Sequence, residues 1–116
     1  GDPGVPAARR SPLEDPSVLD KKLTARQIDD LSRRDLRIAR NTIFARYGRS
    51  FKSPILQDWF AQKAWYKIDP KYSDNVLTEV DKANIALLQA REDELGGPLT
   101  DADHAFEDEN GGMVAA

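Results

Sequence analysis

Two groups of side chains in this sequence could bind a ligand, one cationic and one aromatic. The cationic group is Arg33, Arg34 and Arg37, which lie close together in a segment with helical periodicity. Guanidinium groups donate paired hydrogen bonds to carboxylates and phosphates, so these arginines predict an anion-binding strip for a teichoic-type or other anionic polymer, a lipid headgroup or a nucleic acid. The simpler interpretation of the same pattern is a solvated helix face.

The aromatic group is the adjacent pair Trp65 and Tyr66, whose rings could stack on sugars or bases. Neighbouring side chains cannot both point the same way. We therefore expect one of the two rings to reach solvent and to be the better candidate for contact, while the other packs.

Charge is distributed very unevenly along the chain, although the net charge is only -3. Residues 32–52 contain seven basic side chains and one acid, which gives 7 - 1 = +6, whereas residues from Glu92 onward contain eight acids and no lysine or arginine, which gives -8. Either an anionic partner binds the basic segment at residues 32–52, or the acidic segment from Glu92 onward screens that segment. The pI of about 5.1 argues against nucleic acid as the partner.

Residue types that carry catalysis are scarce. The chain has no cysteine, and its one histidine, His104, lies in the acidic tail. No nucleophile–base pair, phosphate-binding glycine loop or metal-ligand spacing occurs, and the tail acids lack the glycine and glutamate of a calcium loop. We therefore predict no enzyme activity, no cofactor and no metal.

Helical periodicity predicts the elements that must position these groups. Four segments begin with helix-start signals. Thr24 and Ser32 begin capping boxes, Ser53 precedes a proline at the first helical position, and Thr78 precedes two acids in the first turn. Gly48 suits a left-handed helix end. No stretch alternates with period two, so we predict an all-α fold, a small bundle of about four short helices around a compact aromatic core. The expected core is Leu36, Ile43, Phe44, Tyr47, Phe51, Trp59, Phe60, Trp65, Val80, Leu87 and Leu88.

Both ends of the chain look unlike this middle part. Residues 1–22 contain four prolines and few large apolar groups, which predicts a disordered linker. Residues 96–116 begin Gly-Gly-Pro and continue small and acidic, which predicts a disordered tail. The domain itself is expected at residues 23–95, as a monomer. No membrane-spanning run and no signal-peptide core is visible.

A family resemblance rests on residues 36–48, which read LRIARNTIFARYG. This segment resembles the signature of the bacterial YARHG domain, a leucine, then Arg-Asn, then an aromatic-Ala-Arg-aromatic-Gly string. Phe44 stands where the name has tyrosine, and Tyr47 where it has histidine. The later motifs FKS (51–53), WF (59–60), WY (65–66) and KANI (82–85) follow in the family's order.

The resemblance implies a bacterial domain, often extracytoplasmic, with no established catalytic role. It predicts a periplasmic or extracellular location, with a cytoplasmic one left open. The expected function is a binding or accessory module of a cell-envelope protein that contacts a cell-wall polymer or a protein partner through the second helix. The alternative is a spacer that docks a neighbouring domain.

Residues of the signature and its surroundings are expected to be structural. Arg40 borders the apolar stripe, and a half-buried guanidinium needs a carboxylate such as Glu79, Asp81 or Glu92. Asparagine side chains are expected to pin loops, and Gly48 is expected for its backbone angles. The residues so assigned are Arg40, Asn41, Phe44, Arg46, Tyr47, Gly48 and Asn84.

Overall fold

The computed structural model describes residues 11–103, and within them every regular element is helical. A 3-10 helix η1 (Pro16–Asp20) leads into α1 (Ala25–Ile28), α2 (Arg33–Ala45), α3 (Pro54–Ala61), a second 3-10 helix η2 (Asp74–Val76) and α4 (Glu79–Glu94). The long helices α2 and α4 pack together, α3 lies against α2, and η1 lies against α4. The all-α prediction is confirmed.

Each predicted helix start is present with its cap. The Ser32 hydroxyl accepts from the Asp35 amide at 3.1 Å, and the Ser53 hydroxyl accepts from the Leu56 amide at 3.1 Å. Thr24 and Gln27 form the expected capping box. Thr78 forms a second box with Asp81, where the sequence had indicated only favourable charges in the first turn.

Gly48 lies three residues after the end of α2, and its backbone is in the left-handed region, with φ +91°. Its carbonyl accepts from the Asp69 amide at 2.8 Å. A Cβ at this position would lie 2.7 Å from the Asp69 amide nitrogen and 2.8 Å from the Lys67 carbonyl oxygen. Glycine is therefore required both by its backbone angle and by the close approach of residues 67–69.

Two apolar clusters form the core. The larger joins η1, α1, α2 and α4 through Leu19, Leu23, Ile28, Leu36, Ala39, Ile43 and Leu88. The smaller joins α2 to α3 through Ile38, Ala45, Leu56 and Phe60. The larger cluster is aliphatic, and the predicted aromatic cluster is present around the fully buried Phe60, whose ring packs against half-buried Phe51 and Tyr66. Trp65 was wrongly assigned to the core, because it lies in the loop after α3 and is 39% exposed.

The predicted boundary of the domain at residue 23 is too late. Asp15 caps η1, Pro16 occupies its first turn, and Leu19 is 0% exposed in the larger cluster. Proline at the start of a short helix costs nothing, so its presence did not mean a linker here. The linker prediction for residues 1–10 lies outside the described residues.

The predicted boundary after residue 95 is too early. Gly96 and Gly97 take positive φ angles and turn the chain back. Leu99 is then buried at 7% exposure, and a helical turn begins at Asp101. Residues 96–103, called here the return segment, therefore belong to the folded unit. The tail prediction for residues 104–116, including His104, lies outside the described residues.

Candidate functional site

Polar side chains along α4 bind α4 to the neighbouring parts of the fold, beside the apolar contacts of the larger cluster. Glu92 is 0% exposed and receives both arms of Arg40, with Nε at 2.6 Å and Nη2 at 3.3 Å from its two oxygens. Of the carboxylates considered from the sequence, Glu92 is thus the one that pairs with Arg40. A half-buried guanidinium held on two oxygens fixes the rotation of one helix against the other.

One turn from the start of α4, Asp81 and Asn84 are two more of these side chains. The Tyr47 hydroxyl donates to Asp81, which also accepts from the Thr78 amide at 2.9 Å. The hydrogen bond to Asp81 and, after it, burial raise the pKa of Tyr47 above its ordinary value of 10.0. The tyrosine in place of the family's histidine is therefore a hydrogen-bond donor as well as a packing group.

Asn84 holds the chain that enters α1. Its Oδ1 accepts from the Leu23 amide at 2.7 Å, and its Nδ2 donates to the Leu19 and Lys21 carbonyls at 3.2 and 3.0 Å. Asn41 behaves differently from the loop-pinning expectation, because its Nδ2 donates to the Arg37 carbonyl of its own helix. Tyr47–Asp81 and Arg40–Glu92 together form what we call the α2–α4 polar interface. Asn84 instead links α4 to the segment that precedes α1.

The arginine strip of α2 is half-buried rather than open. Arg33 donates to the Gly97 carbonyl from Nε at 2.9 Å and from Nη2 at 2.5 Å. Arg37 donates to Asp101 Oδ1 at 2.7 Å, and the Ser53 hydroxyl donates to the same oxygen at 2.6 Å. The return segment therefore occupies the surface that the sequence offered to an anionic partner.

Asp101 is held in its charged form by these donors. Burial works to raise its pKa, but the hydrogen bonds from Ser53 and Arg37, with the charge of Arg37, lower the pKa below 3.8. At neutral pH the carboxylate is therefore ionised in its place between α2 and α3.

Trp65 is the member of the aromatic pair that reaches solvent. Its ring is fixed edge-on against Phe60 and Tyr66, with centroids 6.0 and 6.3 Å away. Tyr66 is half-buried, and its hydroxyl donates to the Arg49 carbonyl at 2.7 Å. Burial raises the pKa of Tyr66.

A shallow groove of about 410 Å³ lies beside Trp65. Arg46 forms its floor and is held by the Pro16 carbonyl at 2.8 Å and the Asp20 carboxylate at 3.1 Å. The sequence did not predict this Trp65 groove, because residues 15–20 had been assigned to a linker. Its lining is Asp15, Pro16, Ser17, Asp20, Arg46 and Trp65.

Within residues 11–103, no group of histidines and carboxylates is arranged to hold a metal ion. In the same part of the chain, no helix is long and apolar enough to cross a membrane.

Fold and contacts define a class of small helical domain, in which an arginine-containing helix is locked to a long partner helix by buried polar pairs. The YARHG domain family matches residues 13–93, and the chain belongs to that family. The match begins at residue 13, in the segment that precedes η1, which agrees with a domain that starts before residue 23. A search of curated proteins finds no match.

One solved structure is similar to this chain, that of a candidate nutrient binding protein from Legionella pneumophila subsp. pneumophila str. Philadelphia 1. The sequences are 40% identical, and the TM-score is 0.53. The similarity covers 67% of this chain but 22% of the other, so the chain spans about a fifth of that protein's length.

Proposed function

We propose that this domain is a non-catalytic binding module of a bacterial cell-envelope protein, and that the Trp65 groove contacts saccharide units of a cell-wall polymer. The observation that carries the proposal is the exposed indole of Trp65, which is 39% exposed although two other rings fix its position. A large ring held rigidly at the surface loses little conformational entropy when a ligand covers it.

The surroundings of Trp65 suit a sugar better than a purely apolar ligand. Stacking on the indole would cover the C–H face of a pyranose, while Ser17, Asp20 and Arg46 lie beside it as hydrogen-bonding groups. Arg46 is positioned in advance by Pro16 and Asp20, so binding need not order it. The groove is shallow, which fits one or two units of a longer polymer rather than an enclosed small molecule.

The comparisons support a binding role in the coarser sense. The similar structure is named as a candidate nutrient binding protein, and this domain corresponds to about a fifth of it. For the present chain we propose a periplasmic or extracellular location, because YARHG domains are often extracytoplasmic.

Intrinsic fluorescence tests the proposal, because the chain contains two tryptophans. Trp59→Phe leaves Trp65 as the sole indole. Titration of this variant with soluble peptidoglycan fragments should give a saturable change in emission. Trp65→Ala, followed by calorimetry, should weaken binding by roughly tenfold or more, the usual effect of removing an aromatic anchor.

Ile68→Ala is the matched control, since Ile68 is a 55% exposed apolar residue in the same loop but does not line the groove. It should bind as the parent does. Equal affinity of the Trp65→Ala and parent domains for every fragment would refute the groove as a saccharide site.

A spacer function is the second candidate, and the exposure of Ile68 at 55% and Val76 at 42% favours it. Both lie in the connection between α3 and α4, where a neighbouring domain could cover them. In that case Ile68→Ala and Val76→Ala would weaken association with the adjacent part of the longer protein. Neither the parent domain nor the Trp65→Ala variant would bind saccharide fragments measurably.

A further inference from the structure

The place occupied by Asp101 has the features of an anion-binding site. The carboxylate oxygen Oδ1 receives Arg37 Nη2 at 2.7 Å and the Ser53 hydroxyl at 2.6 Å. The backbone N–H of Ile55, in the first turn of α3, lies near this carboxylate and helps to lower its pKa. A guanidinium and a hydroxyl on one oxygen, with a helix-terminal amide beside the carboxylate, form a set of donors that proteins use for phosphate and carboxylate. We call this set the anion cradle.

Asp101 satisfies the anion cradle incompletely. The side chain of Arg37 is only 11% exposed, and its Nη1 is buried without a hydrogen-bond partner among the described residues. A buried donor left unpaired costs free energy. An anion with more oxygens than a carboxylate would offer Arg37 acceptors that Asp101 does not supply.

The attachment of Asp101 permits it to leave. Its side chain is 32% exposed, and it follows the Gly96–Gly97 turn, where both residues have positive φ angles. Leu99 anchors the return segment at 7% exposure, three residues from the turn's start and two from Asp101. A movement confined to residues 100–103 would withdraw the carboxylate and leave Leu99 in place.

We propose that the anion cradle of Arg37, Ser53 and the Ile55 amide is a binding site for a phosphate group, and that Asp101 is its internal competitor. The site lies on the basic helix, so a phosphate-bearing polymer would displace the return segment when it binds. The inference does not rest on the Trp65 groove, since the two sites share no residue.

The test is a titration of the full 116-residue chain with inorganic phosphate at constant ionic strength, followed by the ¹H–¹⁵N shift of the Ile55 amide. Asp101→Asn removes the competing charge and should tighten phosphate binding by up to about fivefold, the factor that corresponds to the upper end of what a partly exposed pair contributes. Asp93→Asn is the matched control, because it makes the same change in net charge at an exposed site of α4. It should leave the affinity unchanged.

Arg37→Gln should abolish the Ile55 response. If that variant melts early, Arg37→Lys replaces it, since lysine keeps the charge but cannot present the forked donors. Equal tightening in Asp101→Asn and Asp93→Asn would reduce the effect to general charge and overturn the proposal. So would an Ile55 amide that does not respond to phosphate in the Asp101→Asn chain. Peptidoglycan fragments that lack phosphate should not move Ile55, which keeps this result separate from that of the Trp65 groove.

Discussion

Arg37 and Arg40 lie one turn apart on the same helix, and each ends on a carboxylate, yet the two pairs differ in where that carboxylate comes from. Arg40 meets Glu92, which is 0% exposed and belongs to the long helix α4. Arg37 meets Asp101, which is 32% exposed and belongs to the return segment. The first pair cannot separate without opening the bundle, whereas the second can. The same residue type is thus structural at one position and available for exchange at the other.

The largest expected effect comes from breaking the inner pair. Glu92→Ala leaves the Arg40 guanidinium half-buried without its carboxylate, which should reduce the free energy of unfolding by about 3–5 kcal/mol. Denaturant unfolding followed by circular dichroism measures the loss. Glu94→Ala is the control, because its contact with Arg91 joins side chains that are 65% and 28% exposed. It should change stability by less than about 0.5 kcal/mol. If the two variants had equal stability, the inner pair would not hold the bundle.

Gly48→Ala should follow in size. The left-handed backbone costs an alanine about 1–2 kcal/mol, and the 2.7 Å contact with Asp69 adds strain. We expect a total loss of about 2–4 kcal/mol. Gly97→Ala separates the two causes, because Gly97 has φ +102° but a Cβ there meets no atom within 4 Å. It should lose only the backbone part. Equal losses at both glycines would show that residues 67–69 move aside freely.

The outer pair should contribute little and should depend on pH. The pKa of Asp101 is lowered in the folded state, so its stabilising contribution is fully present above the ordinary value of 3.8 and is lost as the pH falls through the lower folded value. A partly exposed pair of this kind is worth roughly 0–1 kcal/mol. The difference in unfolding free energy between the parent and Asp101→Asn chains, measured from pH 7 downward, should shrink only below pH 3.8. A difference that does not vary with pH would remove Asp101 from the cradle.

Most features of the inner region, where α2 packs on α4, could be predicted from the sequence. Caps at Thr24 and Ser32 are local, so the spacing of a few residues is enough to predict them. Arg40 beside an apolar stripe implied a buried carboxylate partner, although only packing could select Glu92. Family membership followed from several motifs in order along the chain.

The outer region, formed by residues 11–22 and the return segment, could not be predicted in the same way. Leu19 and Leu99 lie in segments with few large apolar residues, and composition predicted both segments to be disordered. Leu19 is buried because α2 and α4 provide a surface for it, which is a tertiary effect that composition does not register. Leu99 is buried at 7% exposure in the return segment. The Trp65 groove and the anion cradle both depend on these segments, so neither site could be derived from local pattern.

The smallest expected effect concerns the chain's three tyrosines, which sample both regions. Burial, followed by the hydrogen bond to Asp74 at 2.6 Å, raises the pKa of Tyr72 from 10.0 to about 12. The pKa values of Tyr47 and Tyr66 are raised as well. A group with a raised folded pKa stabilises fully below its unfolded value and loses that contribution as the pH rises through the folded one. The domain should therefore keep the stabilising contribution of these tyrosines up to pH 10 and lose that contribution toward pH 12. Absorbance of phenolate should show no tyrosine ionising below pH 10 while the fold persists.

Asp74→Asn should lower the titration midpoint of Tyr72 without altering that of Tyr47, because Asp74 contacts Tyr72 and not Tyr47. A fall in both midpoints would mean that the loop carrying Tyr72 and the α2–α4 polar interface open together, and the distinction between an inner and an outer region would not extend to this loop.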